Sequence, residues 1–310
     1  MLPNVSLGPP PALSSRAPEG GEVAVRSGWR LAVRAFAENK LAVIGVGTIV
    51  FFVLFCWLGP LFYHGNVTVA ALLDSNAPPA AGHPLGADNE GFDILGELMK
   101  GGQTSLEIGL LASAIATVVG TLWGAIAGLA GGILDGIMMR IVDVILSVPL
   151  LFVVLIVGAR WGSTVLLLAL IIGVFSWLGP ARLVRGEVLT LRVRDFVAAA
   201  RAAGARQSRL VLRHLIPNAL SVVIVNITFQ VADAILLVSA LGFLGFGLNY
   251  PNIDWGDMLS GNSGSGTANL LNGYWWEVYP VGFCIVATVM AFNLMGDALR
   301  DALDVRLRRR

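Results

Sequence analysis

Asp195-Phe-Val-Ala-Ala-Ala-Arg-Ala-Ala-Gly-Ala-Arg-Gln-Ser-Arg-Leu-Val-Leu-Arg-His-Leu-Ile-Pro-Asn218 is an island of alanine and arginine between two long apolar runs. Alanine is the strongest helix former, so the run through Ala198, Ala199 and Ala200 predicts a short helix that Gly204 ends or bends. The arginines keep that helix out of the lipid, where a soluble partner can reach it. Its identity as a docking surface depends on what the flanking runs are.

Those runs are long enough to cross a bilayer. A span needs about 20 mostly apolar residues, and six stretches qualify: Leu41–Tyr63, Leu106–Leu129, Ile137–Ala159, Val165–Leu183, Leu220–Leu248 and Val278–Leu294. The whole chain is 56% apolar and only 13% charged, with a mean hydropathy of +0.76. Only helices and closed barrels satisfy every backbone group in lipid, and runs this continuously apolar are helical. The expectation is an all-α membrane protein of six transmembrane helices. No apolar segment precedes Leu41, so the first run reads as a retained anchor rather than a cleaved signal. Cys56 and Cys284 fall inside spans and read as small buried hydrophobes.

Charge orients the bundle. With both termini inside, nineteen of the 21 Lys and Arg residues lie on the cytoplasmic side and only Lys100 and Arg160 outside. Cytoplasmic loops accumulate positive charge, so the sequence predicts N-in and C-in. The bias accounts for the arginines without nucleic acid. Along the chain this gives a cytoplasmic leader and interfacial helix (1–40), a first span (41–63), an extracytoplasmic subdomain (64–104) and a five-helix core (105–298). Within the core lie a cytoplasmic loop (186–218) and an external loop (249–275), and a basic tail (299–310) follows. Trp29, Val33 and Phe36 supply the apolar face of the interfacial helix. Tyr274-Trp275-Trp276 suits an aromatic belt where chain meets membrane.

Within the spans, Gly120, Gly124, Gly128 and Gly132 recur every four residues and predict a small-residue face for close helix packing. Arg140 and Asp143 lie three apart and can pair near the inner interface. Asn226, Gln230 and Asp233 share one helical face of the fifth span. Ionisable groups at such depth usually line a cavity, so these residues read either as a polar translocation path or as an interhelical hydrogen-bond seam. Asp297, Arg300, Asp301 and Asp304 read as a charge network at the inner end of the last helix.

The island resembles the loop that marks the permease subunits of bacterial ATP-binding-cassette importers. Ala198-Ala199-Ala200 is followed by Gly204 at that loop's interval, and His214-Leu215-Ile216-Pro217 closes the pattern. Further similarity to the peptide and nickel importer permeases runs through Asn39-Lys40-Leu41-Ala42, His83-Pro84-Leu85-Gly86-Ala87-Asp88 and Met139-Arg140-Ile141-Val142-Asp143. It continues in Leu241-Gly242-Phe243-Leu244-Gly245-Phe246-Gly247, Asp254-Trp255-Gly256-Asp257-Met258-Leu259 and Ala291 to Asp304. The His-Pro-Leu-Gly loop is similar to that of the second of the two permeases such importers pair.

The resemblance implies a type I importer bundle in the bacterial inner (plasma) membrane that carries short peptides, with nickel or another small solute as the alternative. It implies a second permease, two ATPase subunits and an extracytoplasmic solute-binding protein as partners. It also places the coupling loop to the ATPase at Ala198, Ala199, Ala200, Arg201, Gly204, Arg206, Arg209, Arg213 and Pro217. Three positions depart from the family's usual residues: Ala198 and Val238 replace Glu, and Phe92 replaces Arg. The Ala198 departure shifts any docking there from a salt bridge to shape, backbone and the remaining arginines.

The chain lacks the machinery to use ATP itself. A phosphate-cradling loop needs a lysine followed by Ser or Thr, whereas Lys40 and Lys100 precede Leu and Gly. ATP and magnesium are therefore expected on the partner ATPases, and no cofactor, metal or catalytic residue in this chain. His64, His83 and His214 fall on both sides of the membrane in this topology and cannot converge. A proton-coupled secondary carrier, the rival from another class, would call for inverted repeats and buried relays. Asp233 alone among the acids sits deep enough to serve.

Overall fold

A computed structural model describes residues 33–34, 36–161, 163–248, 251–261 and 266–308. The leader and most of the expected interfacial helix, Trp29 included, lie outside the described residues. Among the described residues, five helical rods are long and apolar enough to cross a membrane: Lys40–Phe62, Ile94–Ala130, Val165–Leu191, Gln207–Phe243 and Trp275–Leu303. Taken together as one span, Gly132–Leu146 and Leu150–Gly158, a pair bent by 66°, pass the same test and bring the number to six. The chain is a multi-pass helical bundle.

The elements in order are α1 (Lys40–Phe62), a single 3-10 turn (Leu72–Asp74), α2 (Ile94–Ala130), α3 (Gly132–Leu146), α4 (Leu150–Trp161), α5 (Val165–Ser176) and α6 (Leu178–Leu191). Then come α7 (Asp195–Ala202), α8 (Gln207–Leu210), a π turn (Val211–Leu215), α9 (Ile216–Phe243), α10 (Trp255–Ser260), α11 (Gly266–Leu271) and α12 (Trp275–Arg308).

The third predicted span, Ile137–Ala159, is broken. Pro149 has no N–H to donate and disfavours helical geometry at the residue before it, so α3 stops at Leu146 and α4 restarts at Leu150. Elsewhere the rods outrun the apolar stretches. α2 starts at Ile94 rather than Leu106, because Asp93 caps it by accepting from the Gly96 N–H at 2.8 Å. The rod begun at Val165 reaches Leu191, and α12 continues as helix through the basic tail to Arg308. A helix end is set by caps and packing as much as by hydropathy.

α2 is the hub against which α5, α6 and α9 pack. Its glycine ridge explains how closely. A Cβ at Gly120 would sit 2.6 Å from the Trp177 carbonyl oxygen, and one at Gly124 would sit 2.3 Å from that of Ala181. Gly128 presses likewise on Val188. Three of the four predicted glycines therefore form the α2–α6 contact. Gly132 does not: it has a φ of +57° with nothing within 4 Å of an added Cβ, and with Gly131 it makes the left-handed turn into α3. The expected Arg140–Asp143 pair is also replaced, since Asp143 pairs with Arg182 on α6.

The outer ends of α1, α2, α9 and α12 close around Trp255 of α10, which is fully buried with Phe52, Leu98, Ile235 and Val281. Both Cys56 and Cys284 are buried free thiols in or beside this cluster. α1 otherwise shows much of its apolar surface, Phe51 and Leu54 included, as a lipid-facing helix does.

Candidate functional site

The island is a short helix held by one anchor. On α7 Val197 is fully buried among Ala125 and Leu129 of α2, Val184 and Val188 of α6, and Leu210, Val211 and Leu215. Ala200 packs against the edge of that cluster. Ala198, Ala199 and Arg201 face outward. The helix closes when the Gly204 N–H donates to the Arg201 carbonyl at 2.9 Å and Ala205 N–H to that of Ala200 at 3.0 Å. Gly204 takes a φ of +78°, a left-handed backbone that a side chain would strain, and nothing lies within 4 Å of where its Cβ would be. The result is a small-residue face with open space beside it.

The nine loop residues singled out in the sequence divide into two groups. Ala198 through Arg206 lie off the rods. Arg209, Arg213 and Pro217 are exposed on the continuous rod Gln207–Phe243 and move with α9. Pro217 directly follows the π turn Val211–Leu215 at the start of α9. Ala198 is exposed.

Three other arginines near the island fasten rods rather than facing a partner. Arg185 on α6 makes a two-pronged bond to Asp135 on α3, Nε to Oδ1 at 2.6 Å and Nη2 to Oδ2 at 2.7 Å. Arg182 bonds Asp143, and Arg192 donates from Nη1 to the Gly128 carbonyl at 3.0 Å. Sequence reasoning missed the Asp135–Arg185 clamp. The two residues are far apart in the chain, and neither carries a local signal of the other. It missed Val197 as anchor too, although a valine inside an alanine and arginine helix was a visible clue.

The three polar residues of the fifth span serve different places. Gln230 donates from Nε2 to the Ser176 carbonyl at 3.1 Å, where α5 passes into α6. Asn226 lines a cavity between α6, α9 and α12, and its Oδ1 is buried without a partner. Asp233 is exposed on the surface of the chain. Two departures noted in the sequence are explained by burial. Val238 is 0% exposed in an apolar cluster with Ala234, Leu241 and Ile172, and Phe92 is 6% exposed under the outer connection. A charge at either place would be desolvated.

The outer face is stitched by short polar bonds. Asp88 Oδ1 accepts from the N–H groups of Glu90 at 2.9 Å and Phe92 at 2.7 Å. Asp93 accepts from the Tyr63 hydroxyl at 3.0 Å. Asp254 and Asp257 form a reciprocal capping box at the start of α10. Trp255 donates from its ring to the Leu98 carbonyl at 3.0 Å, and its backbone N–H bonds the Ser105 hydroxyl at 3.1 Å.

Residues 120–309, which run from the glycine ridge through the island to the last helix, match the family of binding-protein-dependent transport system inner membrane components. The chain belongs to that family. Residues 27–79 separately match the N-terminal transmembrane domain of oligopeptide transport permease C. The oligopeptide transport system permease protein OppC of Escherichia coli K12 is 39% identical over 285 residues, covering 91% of this chain and 93% of that protein. The dipeptide transport system permease protein DppC of Bacillus subtilis is 36% identical over 276 residues, covering 89% of this chain and 85% of its own length. As an inner membrane component of such a system, the chain is a membrane-spanning transport subunit whose two matched regions between them take in α1, the first part of the outer connection and everything from the ridge onward.

Proposed function

We propose that this chain is one of two permease subunits of an importer for short peptides in the bacterial plasma membrane, with both termini in the cytoplasm. A solute-binding protein delivers peptide from outside. Two ATPase subunits, carrying ATP and Mg, dock beneath the membrane on the island. The observation that carries this reading is the outward face of α7, a small-residue helix pinned by Val197 to the ends of α2 and α6 and beside the rod of α9. A push on α7 is thereby delivered to three rods at once, which suits a device that turns ATPase closure into rocking of the spans. The names of the relatives, oligopeptide and dipeptide permeases, support peptide as the cargo. Asn226, in the cavity wall, and Asp233, on an exposed face, supply the polar lining of the path, with Gln230 holding the helices beside it.

Reconstitution of the full complex tests the reading. Gly204→Trp or Ala199→Trp is expected to leave the subunit inserted while peptide uptake per ATP hydrolysed falls tenfold or more. The Ala199 variant avoids the left-handed backbone, so it separates a blocked docking face from local strain. Normal uptake in both would remove the docking role. Uptake by this chain alone, without an ATPase, would favour the secondary carrier.

A further inference from the structure

A cavity of about 520 Å³ opens between α6, α9 and α12 at the island end of the bundle. That is within the range of small-molecule sites, roughly 300–1,000 Å³. Glu187 of α6 and Arg300 of α12 both line it, and among the described residues neither is in an ion pair. Ser221 and Asn226 of α9 add polar atoms, and Phe229 and Val225 an apolar wall. The Asn226 Oδ1 is buried with no partner, so it calls for an N–H donor. An anionic ligand here would face Glu187, and a cationic one would face Arg300. A ligand with one ammonium, one carboxylate and an amide N–H between them answers all three groups.

We infer that this cavity is a binding site for short zwitterionic peptides on the island side, through which accumulated product restrains import. This rests on the peptide-import reading above. Glu187 takes the terminal ammonium, Arg300 the carboxylate, for which its planar fork is suited, and Asn226 the peptide N–H. The site communicates with the docking helix through α9. Val222 and Val225 line the cavity, and Val223, between them, packs against the cluster that holds Val197. A peptide that draws α6 and α12 together against α9 therefore biases the lever that the ATPase must move.

The test uses the complete importer in liposomes, with ATP sealed in the lumen on the island side and radiolabelled trialanine supplied outside with the binding protein. Millimolar dialanine in the lumen is expected to lower the initial uptake rate roughly fivefold or more. N-acetyl-dialanine amide, which lacks both charges, is expected to leave it unchanged. Glu187→Gln and Arg300→Gln, each compared with its own rate from an empty lumen, should raise the half-inhibiting dialanine concentration roughly tenfold. Uptake that ignores luminal dialanine would overturn the site while leaving peptide import standing. Equal inhibition by dialanine and the capped compound would overturn it as well. No uptake of trialanine by the wild type from an empty lumen would instead bring down the reading on which it rests.

Discussion

The segments carried on the two faces of the bundle are held by different forces. On the outer face, residues 63–93 and α10 are stitched by side-chain to backbone bonds at Asp88, Asp93, Asp254 and Trp255. On the island face, the apolar anchor Val197 and the arginine ties of Arg182, Arg185 and Arg192 fix the ends of the rods, while the outer side of α7 stays bare. Directional bonds hold one geometry. A single apolar contact can slide or re-form.

The largest effect expected from breaking the comparison is on the stitched side. Trp255→Ala removes a fully buried ring from the meeting point of four rods, and with it the ring N–H bond to the Leu98 carbonyl. The expected cost is about 3–5 kcal/mol, read as a large drop in the melting temperature of the purified complex. The next largest is on the island side. Arg185→Ala leaves the Asp135 carboxylate, whose side chain is 11% exposed, without its partner. Breaking a fully buried pair costs about 3–5 kcal/mol. Because the Arg185 side chain is itself 33% exposed, water takes over part of the loss and about 2 kcal/mol is expected. Arg185→Lys should restore only part of the stability, since an ammonium cannot make the two-pronged bond.

These clamps mark where the sequence stops being legible. Hydropathy and charge reveal the rods and the island because both are local sums over neighbouring residues. The ridge of Gly120, Gly124 and Gly128 is readable for the same reason, being a helical period, and Gly132 breaks from it only because the helix has already turned. Pro149 states its break openly. What stays hidden is pairing at a distance. Nothing near Asp135 names Arg185, nothing near Gln230 names the Ser176 carbonyl, and Arg182 chooses Asp143 although Arg140 is closer in the chain. Those choices are made by how α2 sets α6 against α3 and α9.

Val197→Ala tests whether the island is a lever with one pin. It shrinks the anchor without touching the outward face, at an expected cost of about 1–2 kcal/mol. The ATPases should still bind and hydrolyse ATP, because the exposed residues are unchanged. Uptake per ATP should fall several-fold. If hydrolysis and uptake fell in equal proportion, α7 would be only a docking surface and the pin would transmit nothing.

The smallest effect separates the two faces by pH. Burial, and then the neighbouring carboxylate of Asp257, raise the pKa of Asp254 well above its usual 3.8, and its Oδ2 has no partner to offset a charge. A carboxyl whose folded value is raised binds its proton more tightly in the folded state. Its contribution is therefore fully present below the ordinary value and is lost as pH rises through the raised one. The outer face should accordingly loosen as pH climbs from about 4 toward neutrality, seen as faster amide hydrogen exchange, corrected for the intrinsic rate at each pH, in α10 and its flanks. Asp254→Asn keeps the Oδ1 that accepts from the Gly256 and Asp257 N–H groups at 2.6 and 3.1 Å, and carries no titrating proton. The pH response of its α10 should shrink to what Asp257 contributes, since burial raises that carboxyl as well. The corrected exchange of α7 should be the same in both proteins at every pH, because Val197 holds it with no charge at all; a matching pH response in α7 would mean that the two faces move as one body.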